Sequence, residues 1–123
     1  MNRTTPCKAW PVASLTGMDV SNASLYDGGS AAVEAMLMAI SITRRNSKII
    51  VLESVHPEYR QIIKTYFATI GTKVVTVSDA SDLQSVLDQS TAAVLVQSPN
   101  FFGGIEDIQT VAEQVHEAVA LLV

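Results

Sequence analysis

The chain has 123 residues, 48% hydrophobic and 16% charged, with 8 Lys and Arg against 12 Asp and Glu for a formal charge of −4. That length suits one domain with a sizeable core, and an acidic chain without a basic run sets nucleic acid and anionic membrane aside as partners. Cys7 stands alone, which excludes an intramolecular disulfide and a cysteine zinc cage and fits a reducing cytoplasm.

High apolar content with little charge points to surface meant for burial against another body. No apolar run reaches the roughly 18 residues that span a bilayer, since 31–42 is too short and carries Glu34. Residues 1–11 hold Arg3 and Lys8 without an apolar centre, unlike a secretory signal. The expectation is a soluble cytoplasmic protein with an irregular arm over 1–14 and a single α/β domain over 15–123.

In chain order, 1–13 contains Pro6 and Pro11 and no sustained period, and Trp10 there is read as an anchor for the arm. Residues 15–38 (LTGMDVSNASLYDGGSAAVEAMLM) join a polar, turn-rich approach through Gly28, Gly29 and Ser30 to a long apolar helix over about 30–45. The first N–H groups of a helix have no internal partner and can hold an anion. An ordinary cap by Asp27 or Ser30 explains the same residues. Because this helix is apolar on every face except at Glu34, it reads as central or as an interface. Met36 and Met38 are read as adaptable core, and Arg44 and Arg45 carry charge suited to its C-terminus.

Residues 48–52 (KIIVL) form a short buried strand. An amphipathic helix over 57–70 starts at Pro57 and stops at Gly71, with Tyr59, Ile62, Ile63, Tyr66, Phe67 and Ile70 at helical spacing. A β-branched strand over 72–77 precedes a short helix over 79–89, capped by Asp79 or Ser81. A third strand spans 92–96, and 97–104 (QSPNFFGG) is a loop punctuated by proline and glycine. A last helix over 105–118 leads to a fourth strand over 120–123.

Short continuous apolar strands alternating with helices imply a doubly wound, mainly parallel four-stranded sheet with helices on both faces, in the order 2-1-3-4. Its switch point lies between the first and third strands, whose carboxyl ends release 53–59 (ESVHPEY) and 97–104. Ligands of open α/β sheets bind beyond such ends. His56 could stack on a ring or move a proton, or simply cap and pack. Asn100 suits a ligand oxygen or a turn, and Phe101 and Phe102 suit core or interface more than a ligand. His116 is explained by its place near a helix C-terminus. The spacing of the histidines and Cys7 suits no metal site, and a Cys7–histidine nucleophile pair would rest on an unanchored arm.

The segment 15–28 (LTGMDVSNASLYDG), His56-Pro57-Glu58 with Tyr59, and 92–103 (AAVLVQSPNFFG) followed by Ile105-Glu106-Asp107 resemble glycine dehydrogenase (decarboxylating), the P-protein of the glycine cleavage system, in its amino-terminal-type subunit. The resemblance covers about 15–123. Residues 1–14 match the family poorly, and Gly29-Ser30 departs from its usual small residues after YDG.

The resemblance implies part of the large domain of a pyridoxal-phosphate-dependent transferase of the aspartate-aminotransferase fold type. It places Gly28, Gly29 and Ser30 at the turn that receives the cofactor phosphate, His56 where a ring stacks on the pyridine, and Asn100 where a polar side chain meets the phenolic oxygen. The aspartate that pairs with the pyridine nitrogen and the Schiff-base lysine would both fall after Val123. Lys8, Lys48, Lys64 and Lys73 match neither role, so no catalytic residue and no cofactor is expected in the isolated chain.

The implied partners are the second P-protein subunit and the lipoyl protein. The chain is expected to self-associate through a sheet edge or an apolar helix. A self-associating scaffold and a small phosphate-binding domain using residues 28–30 are the two other functions considered.

Overall fold

The computed structural model describes residues 10–22 and 25–123. Four strands, Lys48–Leu52 (β1), Lys73–Val77 (β2), Thr91–Leu95 (β3) and Leu121–Leu122 (β4), form one parallel sheet in the order β2-β1-β3-β4. The doubly wound order expected from the alternation of strands and helices is the order found.

Successive strand residues point to opposite faces. Ile49, Ile50, Val51 and Leu52 of β1 and every residue of β3 are buried, so both faces of the central strands are covered. β1 pairs with β2 in unbroken register from Lys48↔Lys73 to Leu52↔Val77, and an irregularity at Lys48/Ile49 shifts its pairing with β3.

The covering helices are Gly28–Thr43 (α2), Pro57–Ile70 (α3) and Ile108–Glu117 (α5). α2 sends Val33, Met36 and Ala39 into the core, α3 sends Ile63 and Phe67, and α5 sends Val111 and Val115. α3 begins and ends where the sequence places it. Pro57 fits the first turn, and Gly71 takes the left-handed conformation (φ 77°) that lets its N–H reach Phe67 O.

The main departures from the expected boundaries lie in the helices. A seven-residue helix, Trp10–Thr16 (α1), stands in the segment expected to be irregular; Pro11 is tolerated in its first turn, and it stops at Gly17 with φ 71°. Residues 1–9, with Cys7 and Lys8, lie outside the described residues, as does the Trp10 side chain. The helix expected over 79–89 is a 3₁₀ turn, Ala80–Asp82, followed by one α-helical turn, Leu83–Val86 (α4). It stops there because the Asp88 carboxylate folds the next turn, accepting from Ser90 N at 2.8 Å and from Lys48 Nζ.

The last helix starts at Ile108, three residues late. Asp107 is its cap, its carboxylate accepting from Thr110 N at 3.2 Å and Thr110 Oγ1 at 2.7 Å. α2 starts two residues early, at Gly28, with Asp27 rather than Ser30 as cap.

Arg45 does not serve the end of its own helix. Its Nη1 donates at 3.1 Å to the carbonyls of Thr91, Ala118 and Val119, satisfying the open end of α5 and the start of β3. Val119 there is left-handed at φ 57°, a conformation costly for a β-branched residue. Among the described residues no helix is long and apolar enough to cross a membrane.

Candidate functional site

The loops leaving β1 and β3 meet over the carboxyl edge of the sheet. Phe101 N donates to Ser54 O at 2.9 Å, and His56 N donates to the Gln97 side-chain oxygen at 2.9 Å. These two cross-loop bonds put His56 beside Phe101, with ring centroids 4.9 Å apart and rings nearly perpendicular. Tyr59, one turn into α3, lies 5.0 Å from the same imidazole.

His56 is the N-cap of α3. Its Nδ1 accepts from Glu58 N at 3.2 Å, which assigns the ring proton to Nε2 in the neutral form. The imidazole is therefore held by a cap bond on one edge and by two aromatic neighbours.

Gly28 and Gly29 owe their small size to α3. A Cβ at Gly28 would sit 2.5 Å from Tyr59 Oη, and one at Gly29 would sit 2.6 Å from Ile62 Cδ1. The glycine pair lets the start of α2 close onto Tyr59 and Ile62. Through Tyr59, the turn at residues 28–30 and the His56 loop become neighbours.

One donor of that turn, the Ser30 N–H, is already engaged. Asp27 Oδ1 accepts from Ser30 N at 2.6 Å, and Ala31 N donates to Asp27 O at 2.9 Å. The Ser30 backbone N–H, then its hydroxyl, hold the Asp27 carboxyl below the usual carboxylate range, so it is anionic near neutrality. A phosphate would have to share the first-turn N–H groups with a carboxylate of its own sign. The Asp27 carboxylate thus works against an anion at this turn.

Asn100 is likewise engaged within its own loop. Its Oδ1 accepts from Phe102 N at 3.0 Å and Gly104 N at 2.8 Å, and its Nδ2 donates to Glu106 Oε1 at 2.7 Å. Gly104 is required by this arrangement, because a Cβ there would lie 2.9 Å from Asn100 Nδ2. With both carbonyl lone pairs taken, Asn100 has only one N–H left to offer.

A cleft of about 440 Å³ opens over the ends of β1 and β2. Asn100 lines it with Glu106 and Arg60, while Gly28, Gly29, Ser30 and His56 do not. The five residues singled out from sequence thus divide between a packed aromatic junction and a separate polar cleft. Arg60, Gln97 and Glu106 were not singled out. Gln97 pairs with His56 across loops that only the fold brings together, whereas Arg60 bonds Val55 O five residues back and Glu106 bonds Asn100 within one loop.

His116 is exposed in the last turn of α5. No cluster of three metal-ligating side chains occurs among the described residues.

The sequence profile described as "Glycine cleavage system P-protein" matches residues 11–123. The chain is 50% identical over 118 residues to a probable glycine dehydrogenase (decarboxylating) subunit 1 of Desulforamulus reducens and 48% identical over 118 residues to that of Carboxydothermus hydrogenoformans. Each comparison covers 91% of this chain and 26% of the relative, so the chain spans about a quarter of their length. A crystal structure of glycine decarboxylase (P-protein) of the glycine cleavage system, in inhibitor-bound form, superposes with a TM-score of 0.81 at 35% identity, covering 92% of this chain and 26% of that one. On this profile match, these relatives and this shared parallel sheet, the chain belongs to the glycine cleavage system P-protein family.

Proposed function

We propose that this chain supplies one part of a P-protein large domain, the part carrying the 28–30 turn and the His56 and Asn100 loops, and does not decarboxylate glycine by itself. The position of its lysines carries this reading. A Schiff-base lysine must reach the carboxyl edge of the sheet, where the His56 and Asn100 loops lie. Lys48 and Lys73 begin β1 and β2 at the opposite edge, and Lys48 Nζ is held there by Val86 O at 2.7 Å and by Asp88. Lys64 is exposed in the middle of α3.

Pyridoxal phosphate, where a P-protein binds it, supplies an electron sink for the carbanion that loss of carbon dioxide leaves. The Asp27 carboxylate at the turn, the capped His56 and the internally bonded Asn100 all support a chain that holds no such group alone. Its contribution is to shape and position one wall. The corresponding partners are the second P-protein subunit and the lipoyl protein, which accepts the aminomethyl group. Glycine-dependent exchange of labelled carbon dioxide tests the reading. The pure chain with pyridoxal phosphate and lipoyl protein is expected to give none, and exchange above the no-protein blank would refute it.

One observation favours a second reading, self-association. Met38 and Ile42 on the outer side of α2 are 56% and 63% exposed, and Leu15 and Val20 nearby in sequence are more exposed still. Apolar surface of this kind favours a partner copy. Sedimentation at micromolar concentration is expected to show a dimer, and a stable monomer would remove this reading.

A further inference from the structure

Among the described residues, three of the four side-chain caps at helix starts are aspartates. Asp27 caps α2, Asp79 caps the 3₁₀ turn and Asp107 caps α5. Hydrogen bonds from Ser30, Ser81 and Thr110 hold these carboxyls below their usual range, so all three remain acceptors throughout the neutral range. The fourth cap is different in kind. His56 caps α3 through Nδ1, which accepts from Glu58 N at 3.2 Å only while that nitrogen carries no proton. Histidine is the side chain that changes charge between about pH 5 and pH 8. A proton can therefore remove the cap of α3 where the other caps are fixed.

The same imidazole is the meeting point of two loops and a helix. Its ring centroid lies 5.0 Å from that of Tyr59 and 4.9 Å from that of Phe101, and its backbone N–H donates to Gln97 Oε1 at 2.9 Å. No ionic partner is in place for a charged ring. Glu53, Glu58 and Arg60 are the charged residues of its own loop and first helical turn, and 97–104 contributes none. On the side of α2, Asp27 and Tyr59 both lie 3.5 Å from a Cβ built at Gly29. None of these charged groups stands within ion-pair distance of His56. The helix dipole opposes a cation at the start of α3, whereas the aromatic faces attract one. What decides between them is the cap itself. A protonated ring kept in place would set Nδ1–H against the Glu58 N–H, two donors with no acceptor between them, so the ring has to turn away.

We propose that His56 is a proton-operated latch on the junction of the β1 and β3 loops. As the neutral ring it caps α3 and packs on Tyr59 and Phe101. A proton taken from water onto the Nδ1 lone pair makes the ring singly positive, breaks the hydrogen bond from Glu58 N and turns the ring off its two aromatic neighbours. The cross-loop bonds from Phe101 N to Ser54 O and from His56 N to Gln97 Oε1 stay in place. What opens is the aromatic contact and the first turn of α3, while the sheet is kept. The latch uses only groups of this chain and stands apart from the part proposed for it in a P-protein.

The test is a titration of the whole isotope-labelled chain from about pH 8 to about pH 5, followed by nuclear magnetic resonance. At the alkaline end the ring nitrogens of His56 should report the Nε2–H form. As the ring titrates, read from its own carbon-bound proton, the Glu58 amide should lose several-fold in protection against hydrogen exchange. The ring-current shifts between His56 and Phe101 should collapse with the same midpoint. His56→Asn keeps a cap oxygen that does not titrate and should hold the Glu58 amide protected across the whole range. His116→Gln, at the exposed histidine of α5, should leave the step unchanged. An Nδ1–H ring at the alkaline end, or a His56 ring that does not titrate in this range, would overturn the proposal. So would Glu58 and Phe101 signals that stay level while His56 titrates, a step that persists in His56→Asn, or one that disappears in His116→Gln.

Discussion

The Tyr59 hydroxyl occupies the place where a side chain at Gly28 would begin, 2.5 Å from the Cβ that any other residue would put there. Gly28→Ala therefore has to displace the ring, and Tyr59 is also a neighbour of His56. The substitution is expected to cost about 1–3 kcal/mol of unfolding free energy, the range for overpacking a closed contact. Tyr59→Ala should recover much of that loss when combined with it. A double-mutant cycle by urea unfolding measures this; additive losses would show that the contact is not what requires the glycine.

Arg45 joins three elements through one nitrogen, and loss of a charged group from carbonyls that are in part buried is costly. Arg45→Met keeps much of the apolar stem and is expected to destabilise the chain by roughly 2 kcal/mol. Hydrogen exchange should rise first at the amides around Val119 and in β4, which lose their anchor. Uniformly faster exchange across the whole sheet would contradict this local role.

Asn100 holds its loop through five bonds to residues 102–106, counting the Gly104 N–H to Oδ1, the Phe102 N–H to Oδ1, the Nδ2 donation to Glu106, the 2.8 Å bond from its own N–H to Gly104 O and the 2.9 Å bond from Gly103 N–H to its carbonyl. Asn100→Asp puts a carboxylate oxygen where Nδ2 faces Glu106 and replaces attraction by repulsion. The loop should open at neutral pH, with loss of the ring-current shifts that Phe101 imposes on His56. Glu106→Gln in the same chain should restore them, since an amide can again donate to the aspartate.

Four aspartates are expected to make the stability of the chain fall in acid. Hydrogen bonds from Ser30 to Asp27, Ser81 to Asp79, Lys48 to Asp88 and Thr110 to Asp107 each hold the carboxyl below its usual range, and Asp88 is the most strongly lowered. A carboxyl with a lowered folded-state pKa contributes fully above its unfolded value, about 3.9, and loses that contribution as pH falls through the folded value. Apart from the step at His56, the melting temperature should stay level from neutrality down to about pH 5 and drop below about pH 4. Asp88→Asn should lower it at pH 7 and make the further fall in acid shallower. An acid limb identical to that of the wild type would assign the effect elsewhere.

Much of the architecture was legible in the residues alone because burial leaves a local record. KIIVL is apolar at consecutive positions because both faces of β1 are covered, and Pro57 with Gly71 marks the two ends of α3 through backbone geometry that acts within one turn. The same local logic identified Asp79 as a cap. It failed for the helix after Asp79, because what stops that helix is Asp88 reaching Lys48, 40 residues away in sequence. It failed for Arg45 for the same reason, since the Val119 carbonyl lies 74 residues on.

By itself the sequence determined the order of elements, the parallel sheet and the family, since hydrophobic period, helix caps and motif order are all local or linear properties. Only the tertiary structure decided which polar groups of the site are free. The Gly28–Ser30 turn reads as an anion cradle or an ordinary cap, and the structure places Tyr59 against Gly28 and the Asp27 carboxylate on Ser30 N. Asn100 suits a ligand oxygen or a turn, and the structure bonds it to Glu106 and Gly104. Arg60, unremarkable within an amphipathic helix, is the group left with an open edge. Whether a polar side chain is satisfied depends on what the fold brings to it from distant parts of the chain, and no local pattern records that.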